Sequence, residues 1–371
     1  MLRQLAKTGI ACGLHWSGAD VGIGMLSGRK RRPLIIGYHR VLDDLAATPT
    51  ATLPGMVVSL KTLERQLDWI GRRYRFVSLD ELGPSVEAGD GQVAAVTFDD
   101  GYADVYENAF PLLERKGIPA AFFVVTGVVG TSELMLYDRL YLALQRAFAH
   151  KAAFAVLERF GLPLRRQLAR RLRAEGPFGA FRALLESFPL PALRALVGCL
   201  ESEFGLDERG RRALRSMTWE MLETLSRAGM TIGSHTRSHA LLTLESPERV
   251  AEEALASREE IERRLHVPVR HLAYPDGRCD ADTVRAVAAA GYRFGYLTCE
   301  HHDPEHPLLT LPRRMLWETS SADVRGAFST AIMSCQVNGV FDFASRCTWD
   351  HGWRRARVVA SARQARHGTA A

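Results

Sequence analysis

The chain is poor in cysteine and has no long apolar run. Its six cysteines (Cys12, Cys199, Cys279, Cys299, Cys335 and Cys347) are scattered over 371 residues without a Cys-x2-Cys pair. This argues against a disulfide framework or a zinc ribbon and reads as buried or free thiols in a reducing compartment. No stretch is apolar over the length a bilayer crossing needs. Residues 2–25 hold Arg3, Lys7 and many small apolar side chains, but His15, Asp20 and several glycines interrupt them. The segment therefore fails as a transmembrane helix and makes a poor signal peptide. A short amphipathic helix lying against a membrane or against the fold stays open. There is no internal repeat, and no RNA- or DNA-binding motif accompanies the basic residues, so a nucleic-acid partner is not expected.

What is present fits a soluble globular protein: 47% hydrophobic and 24% charged residues, enough for one large domain or two ordinary ones. The net charge of +6 is uneven. It gathers in Arg29-Lys30-Arg31-Arg32, in Arg-rich helical stretches between 165 and 215, and in the tail from Arg354 to Arg366. Solvated helix faces and a loose tail account for it; attraction to an anionic membrane surface or a phosphate-bearing substrate is the alternative.

Strand and helix patterns alternate. Leu34–Tyr38, Val93–Phe98 and Ala120–Val125 read as buried strands, with short ones at Arg75–Ser78, Met230–Gly233, His271–Tyr274, Arg293–Thr298 and Leu308–Leu311. Helical spacing is read over Lys61–Arg73, from Ser78, over Val105–Lys116, from Thr218 to Ala228, from Ser246 to about His266, and from Asp280 to Ala290. Continuous apolar strands covered by helices indicate a parallel sheet, and the number of units suggests closure into a βα-barrel. Residues 131–215 break this rhythm with Arg-, Leu- and Ala-rich helical sequence, read as an insertion beside the mouth: a packing excrescence, or a lid or acceptor surface. The expected organisation is a basic helical segment at 1–33, a barrel at 34–348 and a basic tail at 349–371.

Three turns stand out. Thr97-Phe98-Asp99-Asp100-Gly101 closes a strand with adjacent carboxylates, which are costly to hold together without a cation. Ser234-His235-Thr236-Arg237-Ser238-His239 offers a His-x3-His pair after another strand, and Tyr274-Pro275-Asp276-Gly277 is a tight turn after a third. In a parallel α/β fold all strand C-termini point to one end, so the three turns meet at one mouth. One aspartate with two histidines is a facial ligand set for a divalent metal, leaving the other aspartate as a base toward a water the metal activates.

These motifs resemble those of the polysaccharide deacetylases, carbohydrate esterase family 4, over about 34–315 with the helical insertion between. The resemblance implies a distorted (β/α) barrel and hydrolysis of N-acetyl groups from amino sugars. It implies Asp99 as general base, and Asp100, His235 and His239 as ligands of one divalent metal, with Zn2+ the first choice. The third motif departs from the common pattern: Ala273 stands at the usual arginine position and Asp276 at the usual tyrosine. Tyr274 and Asp276 are the expected oxyanion or substrate contacts, through the backbone donor after Pro275. Arg313 or Arg314 could supply the missing guanidinium, and Arg313 is placed in the catalytic set. The late Leu-x-His motif is also missing. Gly37-Tyr38-His39-Arg40 on the first strand resembles instead the permuted subgroup that includes biofilm poly-N-acetylglucosamine deacetylases, which makes His39 the proton donor to the leaving amine.

The expected partner is an N-acetylated amino-sugar polymer, or a lipid-linked sugar acted on by a deformylase or deacetylase with the same site; peripheral membrane contact is an open option. The poor export signal makes a cytoplasmic location the expectation, with membrane association an open option. The rival from another class is a non-catalytic carbohydrate-binding relative with a decayed site.

Overall fold

The computed structural model describes residues 2–43, 45, 52–159, 166–206, 208–344, 347 and 351. The tail expected at 349–371 lies outside the described residues apart from His351.

Eight strands make the main sheet: β1 (Leu34–Tyr38), β2 (Val93–Phe98), β3 (Ala120–Val124), β4 (Thr231–Ser234), β5 (His271–Ala273), β6 (Phe294–Leu297), β7 (Leu311–Pro312) and β8 (Arg314–Met315). All pairings are parallel, in the order β7-β6-β5-β4-β3-β2-β1-β8, with Arg75–Phe76 added along the start of β2. The two ends of this path are neighbours in sequence, separated only by Arg313. Leu311 and Pro312 pair with Tyr296 and Leu297 of β6, while Arg314 and Met315 pair with Ile36 and Gly37 of β1. Arg313 N–H donates to Leu297 O at 2.8 Å and Leu316 N–H to Gly37 O at 2.8 Å. One five-residue segment thus closes the sheet into a distorted (β/α) barrel. Pro312, which has no N–H, stands next to the point where pairing passes from one neighbour to the other.

The strands are apolar on both faces because both are covered. Ile35, Ala95, Ala121, Phe123, Ala273, Tyr296 and Leu311 form the inner cluster, whereas Ile36, Ala94, Val96 and Phe122 pack outward into the larger core under the helices. Small alanines on the inner face leave room for the Phe123 and Tyr296 rings, whose centroids lie 5.3 Å apart.

Helices α1 (Leu2–Trp16) and α2 (Ala19–Leu26) precede the barrel, followed by α3 (Leu60–Gly71) and α4 (Leu79–Ala88). Ser59 caps α3 and Ser78 opens α4 with a capping box completed by Glu81. The stretch read as one helix over Val105–Lys116 begins as a π turn at Val105–Ala109 and becomes α5 at Phe110–Lys116. Between β3 and β4 come α6 (Leu136–Ala149), α7 (Ala153–Arg159), α8 (Arg166–Leu185), α9 (Leu190–Phe204), α10 (Glu208–Ala213) and α11 (Trp219–Arg227). α8 bends at Gly176-Pro177, where the glycine leaves helical geometry before the proline. α12 (Pro247–Leu265), α13 (Ala281–Ala289) and α14 (Thr330–Val337) complete the set. α1 packs on α14 through Ala11, Ile332 and Cys335.

One strand expectation is corrected. Leu308–Leu311 is not a strand: Pro307–Leu309 is a 3-10 turn, and pairing starts only at Leu311. A proline at the first position of a short turn favours the 3-10 form over extension.

Candidate active site

The turns after β2, β4 and β5 meet at the C-terminal mouth of the barrel. Among the described residues six non-glycine positions have positive φ, and four of them lie in these turns: Asp100 (φ 74°), Thr236 (66°), His239 (55°) and Asp276 (55°). Such backbone costs of order 1–3 kcal/mol per residue and persists where the surroundings enforce it, usually at functional sites. Gly277 (φ 65°) has no room for a Cβ beside the Thr298 side chain, so the β5 turn requires glycine there.

Asp99 is buried at 3% exposure and continues the β1–β2 ladder, its N–H donating to Tyr38 O at 2.9 Å. Its carboxylate is gripped end-on by Arg313: Nη1 donates to Oδ1 at 2.7 Å and Nη2 to Oδ2 at 2.6 Å. Arg313 Nη1 also donates to Thr97 Oγ1 at 3.0 Å, and Thr97 donates onward to Ile36 O at 2.9 Å. Burial alone would push the Asp99 pKa up; Arg313, then His235 and His39, hold it below the ordinary carboxylate range. Arg314 points elsewhere, to Asp342. Of the two arginines the sequence left open, Arg313 is the one that reaches the acid.

Asp100, at 1% exposure, has both carboxylate oxygens without a hydrogen-bond partner. Its Oδ1 lies 3.4 Å from His235 Nε2 and 3.5 Å from His239 Nε2. A tetrahedral zinc with ordinary O and N bond lengths would set these edges at about 3.4 Å, so the triad fits a divalent ion. The tautomer agrees. His235 Nδ1 donates to Ala273 O at 2.8 Å, which leaves the Nε2 lone pair facing Asp100. Burial, with His235 alongside, lowers the His239 pKa to about 3, so its imidazole is neutral and able to ligate.

The loop that carries the histidines is anchored from α12. Ser238 N–H and Oγ donate to the fully buried Glu253 carboxylate at 2.8 and 2.5 Å, and the Ser234 and Ser257 hydroxyls meet at 2.8 Å. His239 N–H donates to Thr236 Oγ1 at 3.0 Å.

His39, directly after β1, is half-buried and acts electrostatically on Asp99, Asp100, His239 and Asp276, which places it among the mouth residues. Asp276 sits on the rim and pairs with Arg278 at 2.7 Å. In this turn Gly277 N–H donates to Tyr274 O and Arg278 N–H to Pro275 O, and the Asp276 N–H has no partner among the described residues. Tyr274 is corrected as a contact. Its ring is fully buried in the outer core, its N–H donates to Tyr296 O at 3.0 Å, and its hydroxyl sits near Cys279, Asp280 and Asp303, so only its turn neighbour Asp276 offers a donor.

Two buried residues of α6 reach this site from the helical stretch. The Tyr137 ring lies 4.6 Å from that of His239, and Asp138 accepts from the Tyr102 hydroxyl at 2.8 Å. Burial pushes the Asp138 pKa up to about 8, against the pull of the Tyr102 bond and with help from the Asp100 charge. An apolar cleft lined by Leu136, Leu185, Phe188 and Leu190 opens beside His239. No motif marks Tyr137, Asp138 or Glu253; the only signal was a Tyr-Asp pair and a mid-helix glutamate in otherwise ordinary helices.

A family profile described as polysaccharide deacetylase matches residues 87–178 and 195–295, more than half of the chain. The chain is similar to the poly-beta-1,6-N-acetyl-D-glucosamine N-deacetylases of Staphylococcus epidermidis (28% identical over 113 residues) and Staphylococcus aureus (30% over 112). Each match covers 28% of this chain and 39% of the relative, so the chain spans only about two fifths of these relatives' own length. In fold it is similar to IcaB from Ammonifex degensii: TM-score 0.50 at 18% identity, covering 83% of this chain and 97% of that one.

Proposed function

Because the chain belongs to the polysaccharide deacetylase family, we propose that it is a metal-dependent hydrolase that removes N-acetyl groups from amino sugars of a polysaccharide or its precursor. The observation that carries this reading is a buried, ionised base, Asp99, held by Arg313 beside the unpartnered Asp100 carboxylate and its two histidines. The relatives that deacetylate poly-N-acetylglucosamine support a hexosamine polymer of exopolysaccharide as substrate.

Asp100, His235 and His239 would hold the ion, and zinc is the metal we assign from one carboxylate and two imidazoles. Bound there, it supplies Lewis-acid polarisation of the amide carbonyl and acidifies a water. Asp99 Oδ takes the proton as water attacks the carbonyl carbon. Arg313 keeps that carboxylate ionised beforehand and fixes its plane. The Asp276 N–H donates to the oxyanion that develops. His39 gives its proton to the amine nitrogen as the C–N bond breaks, and acetate and free amino sugar leave.

The test is acetate release from N-acetylglucosamine oligomers by the purified, zinc-loaded chain. Release that is lost in Asp99→Asn is the expected result. A chain that binds the oligomer but frees no acetate with any divalent metal would instead be a non-catalytic relative.

A second reading concerns location. Trp16 and Leu26 are 93% and 92% exposed, and of the six exposed large apolar residues among the described ones five lie in α1 and α2, just before Arg29-Lys30-Arg31-Arg32. No helix among the described residues is long and apolar enough to cross a membrane. The pattern supports peripheral contact with an anionic lipid surface. Co-sedimentation with phosphatidylglycerol vesicles that is lost in Trp16→Ser/Leu26→Ser checks it; equal sedimentation of both proteins rejects it.

A further inference from the structure

A second cluster of metal-binding side chains lies outside the catalytic triad and shares no residue with it. Cys299 and His301 flank Glu300 in the loop after β6, and Cys347 and His351 come from the C-terminal segment. One ligand atom from each of the four falls within 4.8 Å of all the others.

The four groups are spaced as the ligands of one coordination shell are spaced. His351 Nε2 lies 3.4 Å from Cys299 Sγ and 3.5 Å from Cys347 Sγ. His351 Nδ1 donates to Cys279 O at 2.7 Å, so Nδ1 carries the proton and Nε2 presents a single lone pair. One lone pair accepts one thiol proton; it does not explain two sulfurs at nearly equal distance. A tetrahedral zinc does. With ordinary Zn–S and Zn–N bonds the S···N edge of the tetrahedron is about 3.6 Å. The His301 ring completes the fourth corner, its centroid 4.4 Å from that of His351. The bond from His351 to a backbone carbonyl is the outer support that a metal-bound imidazole ordinarily has, and it repeats the arrangement of His235 on Ala273 O.

We propose that Cys299, His301, Cys347 and His351 bind a structural zinc ion as a closed Cys2His2 site. Four protein ligands leave no open position, so the ion does no chemistry on substrate. Its role is to tie Cys347 and His351 to the loop after β6 at the mouth end of the barrel. Through His351 it also braces Cys279, two residues beyond the Asp276-Gly277 turn. Because the thiols give up their protons to ligate and the ion ties the four side chains together, part of its binding energy is folding energy of this rim.

The 371-residue chain, purified without added chelator, should contain two zinc equivalents. Asp100→Asn/His235→Gln, which removes the catalytic triad, should keep one. Cys299→Ser/Cys347→Ser should also keep one, now at the triad. Cobalt loaded into the triad variant should show near-ultraviolet thiolate-to-metal absorption, because only the second site has sulfur ligands. Should the cysteine variant fail to fold, the cobalt spectrum of the triad variant decides alone. Absence of that absorption and of the retained equivalent overturns the proposal. So does a Cys299–Cys347 disulfide that, once reduced, takes up no metal. None of these outcomes depends on deacetylase activity, so the clip can fail while the catalytic reading stands, and the reverse.

Discussion

Arg313 holds Asp99 by two parallel bonds of 2.7 and 2.6 Å from the single residue that joins the two edge strands of the barrel. Closure of the fold and orientation of the base are therefore one feature. The segment that seals β6 to β1 must switch partners at one residue, and that residue's side chain meets the carboxylate. A forked guanidinium is the group suited to this place: it stays charged when buried and matches both oxygens at once.

Loss of the fork should move the acid limb of activity. The folded Asp99 pKa lies below its unfolded value, so the pair contributes stability above the unfolded pKa and loses it as pH falls through the folded one. Arg313→Met removes the stabilising charge, and the acid limb of kcat/KM should rise by roughly 1–3 pH units. Stability at neutral pH should drop by about 3–5 kcal/mol, since a buried charge is left unpaired. Arg313→Lys should recover part of the charge effect but not the two-point grip. A pH–rate profile with an urea titration reads both; an unmoved acid limb in Arg313→Met would show that Asp99 is not the titrating base.

Asp138 should behave as a neutral acid in the metal-free protein. Its folded pKa of about 8 stands above the unfolded value of 3.8. The folded state then holds the proton more tightly, and the stability this contributes is complete below the unfolded pKa and disappears as pH rises toward 8. Asp138→Asn keeps an acceptor for the Tyr102 hydroxyl without the charge. It should cost under about 1 kcal/mol at pH 5 and gain on the native protein as pH increases, whereas Asp138→Ala should cost about 1–3 kcal/mol by leaving the buried, mutually bonded Tyr102–Tyr137 hydroxyl pair with one donor and no acceptor for it. Thermal melts of the stripped proteins from pH 5 to 8 test the crossing trend.

Metal at the triad should be visible as stability. Asp100 keeps two buried, unpartnered oxygens in the free protein. In a Cys299→Ser/Cys347→Ser background, where only the triad remains, zinc at a hundred times its Kd should add about 2.7 kcal/mol, and Asp100→Asn in that background should lose the increment together with turnover. Equal zinc-dependent gains with and without Asp100 there would place the ion outside the triad.

Much of this was legible in the sequence because strand ends and turn chemistry are local. The apolar run Val93–Phe98 ended at paired carboxylates, and parallel topology then fixed their meeting with His235 and His239. The sequence places Arg313 in the catalytic set and keeps Arg314 open beside it; deciding between them depends on where β7 ends and β8 begins, a one-residue register that a strand read at Leu308–Leu311 misses. Tyr274 looked like a contact because it sits in the motif, yet strand alternation turns its ring outward. Tyr137, Asp138 and Glu253 act through long-range packing that leaves no spacing pattern. The six cysteines are free thiols, as the sequence reads them, but Cys299-x-His301 and Cys347-x3-His351 become one cluster only after the chain has folded, so no spacing pattern marks it.

His39 offers the sharpest test of how the amine leaves. It follows β1, across which β2 brings Asp99, and it shares the electrostatic field of Asp100, His239 and Asp276. An amine is a poor leaving group and needs a proton as the C–N bond breaks; an activated phenol does not. His39→Ala should therefore bind metal as before and lose ~100-fold or more in kcat on an N-acetyl hexosamine. On an activated acetate ester the same variant should lose far less. Asp99→Asn should damage both reactions, because each begins with the same attacking water. The ratio of the two losses in one variant is the diagnostic quantity, since a misfolded or metal-poor site would depress both alike. Equal losses for His39→Ala on amide and ester, at full metal content, would assign His39 to holding the substrate and leave the amine to take its proton from another group at the mouth.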